Sequence, residues 1–155
     1  MAPPVVFITR ASSGIGRATA KLVAKNSYRV FGTSRRLEAA PSLPGVEFVA
    51  LDVRDDASVE AAVAKVLDKA GRIDVLVNNA GYTILGAIEE TSPAEALALF
   101  DTNVFGVLRV SPAALPAMRR QGARPHRQHQ FRTRLPPGPV HGPIRQLQAC
   151  PRRPV

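Results

Sequence analysis

A short apolar run, Val5-Val6-Phe7-Ile8-Thr9, leads into Thr9-Arg10-Ala11-Ser12-Ser13-Gly14-Ile15-Gly16, whose glycines permit positive φ and close approach to the backbone. A helix beginning there offers unpaired N–H groups and a partial positive charge, the chemistry that holds a pyrophosphate; a plain Ser-Gly turn is the alternative. About 20 residues after such a loop, an NAD site usually places an acid against the ribose 2′-hydroxyl. Here the chain reads Thr33-Ser34-Arg35-Arg36. Two guanidinium groups suit a 2′-phosphate, so NADP is favoured over NAD, against a solvated Arg pair. Asp52 can accept a hydrogen bond from an adenine amino group with Val53 packed on the ring, or it can cap the next helix. Asn78-Asn79-Ala80-Gly81 directly follows another apolar run. Its small residues let a cofactor lie close and its two amides can tie neighbouring strands, unless it is only an Asn-Gly turn. Asn103 falls in an otherwise apolar stretch, 100–110, where a buried amide needs partners. Glu89 and Glu90 are assigned to a solvated face.

Positioning these loops takes an alternation of strands and helices, and the sequence supplies one. Strands are expected at residues 5–9, 28–32, 46–51 and 73–77. After the first, Ile15, Ala18, Leu22 and Val23 recur at helical spacing, with Asn26 able to end the helix in a left-handed cap. Asp55 or Asp56 caps a second helix through Val59, Val63, Val66 and Leu67 that stops at Gly71. Ser92 caps and Pro93 starts a third, and a further helical stretch reaches Met118. Strands joined by helices in this way make an α/β fold, an open parallel sheet with helices on both faces. Ligands bind such sheets beyond the carboxyl ends of the strands, and all four candidate loops lie there.

Composition bounds the rest. The chain has 155 residues, 45% hydrophobic and 21% charged, which excludes a collagen, a wholly disordered chain and an integral membrane protein. The lone Cys150 makes no internal disulfide, the apolar opening is too short for a secretory signal or membrane span, and no metal is called for. A soluble, cytoplasmic protein is the expectation. Its net charge of +9 is unevenly placed: residues 1–118 carry 12 basic and 12 acidic side chains, whereas residues 119–155 carry nine Arg and no acid. That second part also holds all three His, all five Gln and seven of the 14 Pro. Repeated prolines forbid a sustained helix or central strand. The boundary is set near 121–124, giving a domain over 1–121 and an irregular, disordered Arg/Pro-rich tail over 122–155. Nucleic-acid binding through the tail is an alternative function, weakened because Phe131 is its only Phe, Tyr or Trp for stacking.

Taken together, VFIT-x-ASSGIG at 6–16, LDV at 51–53, NNAG at 78–81 and DTNVFG at 101–106 resemble the short-chain dehydrogenase/reductase family over about residues 4–121. The resemblance implies a Rossmann-like doubly wound sheet, truncated after about four strands, and hydride transfer between a nicotinamide and a carbonyl or alcohol carbon of a small substrate. It implies pyrophosphate binding by Thr9, Ser12, Ser13, Gly14, Ile15 and Gly16, and a 2′-phosphate near Ser34 and Arg35. Asp52 and Val53 would meet adenine, and Asn79, Ala80 and Gly81 would line the cofactor. Asn103 would support a proton-relay water, and an oligomer paired through its helix is allowed.

Two departures stand out. Arg10 replaces the first glycine of the motif; a guanidinium can pair with phosphate, but crowding of the tight turn is expected. The family's Ser and Tyr-x-x-x-Lys are also missing: the only tyrosines are Tyr28 and Tyr82, and no Lys follows Lys69. Permitted codons for residues 123–132, read one nucleotide later, spell P-G-R-I-V-N-I-S-S. Codons for 141–153 similarly give M-G-P-Y-A-S-S-K-H-A-L-E-G. The tail is therefore expected to be a reductase gene read out of frame, leaving a marginal, aggregation-prone chain without turnover, its fourth strand an open edge. An active oxidoreductase using a different acid in the Tyr role is the runner-up.

Overall fold

A computed structural model describes residues 2–120 of the chain. The expected tail, 122–155, lies outside the described residues. Four strands form one parallel sheet in the order β3-β2-β1-β4: β1 (Val5–Ile8), β2 (Arg29–Ser34), β3 (Val46–Ala50) and β4 (Val75–Val77). Between them run α1 (Gly14–Lys25) and α2 (Asp56–Ala70), and after β4 come α3 (Pro93–Phe100), a π-helical turn (Asp101–Phe105) and α4 (Gly106–Arg120). Among the described residues β4 stands at one edge of the sheet.

The sheet is apolar on both faces, and each face has its own core. On one, Phe7, Phe31, Val49 and Leu76 pack with Val59, Val63 and Val66 of α2 and Val110 and Ala114 of α4. On the other, Val6, Ile8 and Val30 pack with Ala20 of α1. Near-continuous apolar strands are what a parallel sheet covered on both faces demands.

Helix ends follow the sequence signals where a side chain has one dominant partner. Asp55 caps α2 by accepting from the Ser58 N–H at 3.1 Å, and Gly71 closes it at φ 70. Ser92 and Glu95 form a reciprocal capping box at α3. Several expectations are corrected. Asn26 is not left-handed, with φ −98; its side chain donates to the Leu22 carbonyl, and Ser27 takes the positive φ of 62. Ile15, Ala18 and Leu22 are exposed, because α1 lies on the sheet through the small residues Gly16 and Ala20. β2 extends through Thr33 and Ser34, since its pairing with β3 continues to Ser34 opposite Ala50. β4 is shorter than expected and begins at Val75.

Just before β4, Asp74 and Val5 exchange main-chain and side-chain bonds. The Val5 N–H donates to the Asp74 carboxylate at 2.7 Å, and the Asp74 N–H donates to the Val5 carbonyl at 2.9 Å. Burial pushes the Asp74 carboxyl up, but the Arg72 guanidinium and the Val5 N–H outweigh burial and hold it below its usual value. Such a group stabilises the fold above its unfolded pKa of about 4, and that stability is lost as pH falls through the lower folded value. Asp74→Ala is therefore expected to cost about 1–3 kcal/mol at pH 7, the range for orphaning a buried donor. Its urea stability should also fall less steeply than wild type between pH 4 and pH 2. Equal slopes for the two proteins would remove Asp74 from the acid transition.

Candidate functional site

All four strands point the same way, so the loops that leave them gather at one end of the sheet. Thr9, only 1% exposed, is the hub. Its hydroxyl accepts from the backbone N–H groups of Asn79 and Ala80, both at 2.8 Å, and donates to the Val77 carbonyl at 3.4 Å. In return the Asn79 side-chain amide donates to the Thr9 and Arg10 carbonyls at 3.1 and 3.0 Å. The expectation that an amide ties neighbouring strands is met by Asn79, which clamps the loop after β4 to the loop after β1. Asn78 instead reaches Ser111 of α4 at 3.1 Å. On the other side, Ala11 N–H donates to the Thr33 carbonyl and Arg10 N–H to the Thr33 hydroxyl, both at 2.9 Å, which joins the β1 loop to β2.

The start of α1 is built for close approach. A Cβ at Gly16 would fall 2.3 Å from the Arg10 carbonyl oxygen and 2.4 Å from the Asn79 amide nitrogen. A Cβ at Gly14, where φ is +54, would meet nothing within 4 Å, so open space lies beside the first turn. Ser13 precedes α1 without a capping side-chain hydrogen bond, and no acid occupies its first turn, whereas α2 and α3 are capped. Ser12 is half-buried and Ser13 and Ile15 are exposed around this space. The first turn of α1 thus keeps N–H groups available to an anion.

Arg10 fits the turn despite being no glycine: it adopts φ 52, and its guanidinium crosses to the Gly81 carbonyl. At the exit of β2, Ser34 is buried and its hydroxyl is engaged by the Arg36 main chain, while Arg35 and Arg36 are exposed. After β3, Asp52 is half-buried and does not cap α2. Its carboxylate is gripped by Arg54 at 3.0 and 2.7 Å, and this side-chain bond, followed by the Arg54 N–H, holds it below its usual pKa against the effect of burial. Val53 is buried against Gly106, whose added Cβ would lie 2.8 Å from its side chain.

Asn103 sits in the π-helical turn and reads Tyr82 in both directions. Its Oδ1 accepts from the Tyr82 N–H at 3.0 Å and its Nδ2 donates to the Tyr82 carbonyl at 2.8 Å. Its amide is therefore satisfied, and it fixes the loop segment after Gly81. Two contributors were not singled out from sequence: Thr33, whose hydroxyl locates Arg10, and Arg54, whose grip on Asp52 only a folded loop brings about. A β-branched polar residue at the end of an apolar run is the signal that marks both Thr9 and Thr33.

A family model for short chain dehydrogenases matches residues 4–124. The chain belongs to the short-chain dehydrogenase family. It is 39% identical over 120 residues to a 3-ketodihydrosphingosine reductase of Bacteroides thetaiotaomicron, a match covering 77% of this chain and 44% of that protein. Among solved structures, a short-chain dehydrogenase from Streptomyces avermitilis superposes with a TM-score of 0.75 at 43% identity, covering 79% of this chain and 47% of that one. ElxO with NADP bound gives 0.71 at 33%, covering 78% and 52%. A 3-ketoacyl-(acyl-carrier-protein) reductase from Brucella melitensis complexed with NADH gives 0.71 at 30%, covering 77% and 52%. The chain thus spans about half the length of these relatives. As a family member, it has the Rossmann-like parallel α/β fold of its solved neighbours. Among the described residues no helix is long and apolar enough to cross a membrane.

Proposed function

We propose that residues 4–120 form the adenosine and pyrophosphate half of an NADP-preferring reductase site for a carbonyl or alcohol substrate, and that residues 1–155 alone do not transfer hydride. The observation that carries the reading is the clamp of Asn79 across the β1 loop, which leaves the uncapped first turn of α1 facing open space beside Gly14. A pyrophosphate there meets N–H groups; the exposed Arg35 and Arg36 beyond β2 then suit a 2′-phosphate. The dinucleotide, when bound, supplies the hydride donor or acceptor. These 155 residues contribute its anchoring, but they hold no Tyr-x-x-x-Lys to move the proton that accompanies hydride transfer.

Calorimetry with NADP⁺ and NAD⁺, paired with a spectrophotometric NADPH-oxidation assay on carbonyl substrates, tests the proposal. NADP⁺ should bind at least tenfold more tightly than NAD⁺, roughly the 1.4 kcal/mol that one retained phosphate contact contributes. Arg35→Ala should erase most of that margin, and no NADPH should be consumed. Equal affinities would return the Arg pair to solvent, and turnover by the purified chain would require another proton donor. The nucleotide sequence across codons 120–125 decides the origin of the tail.

A further inference from the structure

We propose that Arg10 is a phosphate-binding residue of this crevice, a contact that a glycine at the same position cannot make; the assignment rests on the dinucleotide reading above. Its main chain is held from three directions. The N–H donates to Thr33 of β2, the carbonyl accepts from Asn79 beyond β4, and Gly16 of α1 lies so close that a Cβ there would come within 2.3 Å of the Arg10 oxygen. With its origin fixed by three elements, the side chain crosses from the loop after β1 to the loop after β4 and donates through Nη1 to the carbonyl of Gly81.

The partner is what makes this arginine informative. Arg29, Arg54, Arg72 and Arg109 each pair with a carboxylate; among the described residues Arg10, like Arg17, Arg35, Arg36, Arg119 and Arg120, does not, but its guanidinium is engaged by the Gly81 carbonyl. A cation is therefore held by a neutral oxygen, in the open, next to a helix start with no capping side chain and no acid in its first turn. Hydrogen bonds with charge on both partners are roughly twice as strong as neutral ones, and a guanidinium meets phosphate through two parallel bonds. An arriving pyrophosphate thus offers Arg10 a better acceptor than Gly81 does. The long, flexible side chain can move to it while the pinned main chain stays in place. The left-handed φ of 52, uncommon for a residue with a Cβ, shows that the turn forms without glycine. A crowded turn is therefore not the necessary consequence of this substitution in the motif.

Calorimetry on the full chain tests the assignment, using NADP⁺, ADP-ribose, inorganic pyrophosphate and adenosine as ligands at low and high salt. Arg10→Gln should weaken NADP⁺, ADP-ribose and pyrophosphate about tenfold and flatten their salt dependence, with adenosine unchanged. Arg10→Lys should recover part of the loss. Arg10→Gly should lose the same affinity while melting at a higher temperature, because glycine accepts the positive φ; a purely structural residue would move only the melting temperature. Unchanged or tighter binding of the phosphate ligands by Arg10→Gln overturns the proposal, the tighter case marking the side chain as an obstruction. Arg10-dependent binding of pyrophosphate without dinucleotide binding would retain Arg10 and dismiss the dinucleotide. Dinucleotide binding indifferent to Arg10 would do the reverse, and no binding of any phosphate ligand by the wild-type chain would sink both.

Discussion

Gly16→Ala is expected to abolish detectable nucleotide binding and to destabilise the domain by about 3 kcal/mol, the upper part of the range for overpacking combined with a lost buried hydrogen bond. A methyl group at this position would lie 2.3 Å from the Arg10 carbonyl oxygen and 2.4 Å from the Asn79 amide nitrogen, and neither neighbour can yield cheaply. The first is backbone already bonded to Thr33 and Asn79, and the second is the amide that bridges the β1 and β4 loops. Accommodation requires α1 to lift from the sheet, which uncovers Val6, Ile8 and Val30, or requires the Asn79 bridge to open. Gly14→Ala supplies the comparison. Its added carbon meets no atom within 4 Å, so it carries only the strain of a left-handed residue, about 1 kcal/mol. Urea denaturation of the three proteins, with nucleotide calorimetry on each, checks the ranking. Equal losses for the two variants would mean that glycine is needed here for backbone freedom and not for close approach.

That contrast also explains how much of this molecule its sequence discloses. Both glycines belong to one legible motif, yet the sequence does not say which of them faces a neighbour and which faces space. The alternation of strands and helices is readable because apolar runs bounded by turn residues have few other uses, and α2 shows this best: Asp55, Val59, Val63, Val66 and Gly71 all serve as their types suggest. α1 shows the limit. Apolar character marks Ile15, Ala18 and Leu22 as able to be buried, but the close packing of Gly16 and Ala20 turns them outward. Sequence patterning reports preferences of side chains, whereas burial depends on what lies opposite, and that is a property of the assembled sheet.

The site is legible to a similar depth. Types and spacing bring Thr9, Asn79, Arg35 and Asp52 to one end of the sheet because parallel strands deliver their exits together. Local contacts then change individual roles. Arg54, two residues from Asp52, takes both its carboxylate oxygens. Val53 turns into the core because Gly106 lets α4 approach it. Asn103 satisfies its amide on the Tyr82 backbone. Each outcome follows from a contact between segments far apart in the chain, or from a loop conformation, which residue spacing does not encode.

Asn79→Asp should be a damaging isosteric change, with a penalty of about 1–3 kcal/mol at neutral pH, the range for removing a donor and leaving its acceptors unsatisfied at a half-buried site. The wild-type amide donates to two carbonyl oxygens, those of Thr9 and Arg10, at 3.1 and 3.0 Å. A carboxylate of the same shape has no N–H to give and sets negative charge against both acceptors. Those repelling oxygens raise the folded-state pKa of the introduced carboxyl above its unfolded value of about 4. Protonation then favours the folded form, so the stability difference from wild type should be smallest below pH 4. It should grow as pH rises through the unfolded value and level off above the raised folded one. The acid loss contributed by Asp74 and Asp52 is common to both proteins and cancels in the difference. Urea denaturation of both proteins from pH 3 to pH 8 reads the curve directly. A penalty independent of pH would place the damage in packing; a penalty that rises with pH would identify the two carbonyl contacts as what clamps the loop after β4 to the loop after β1.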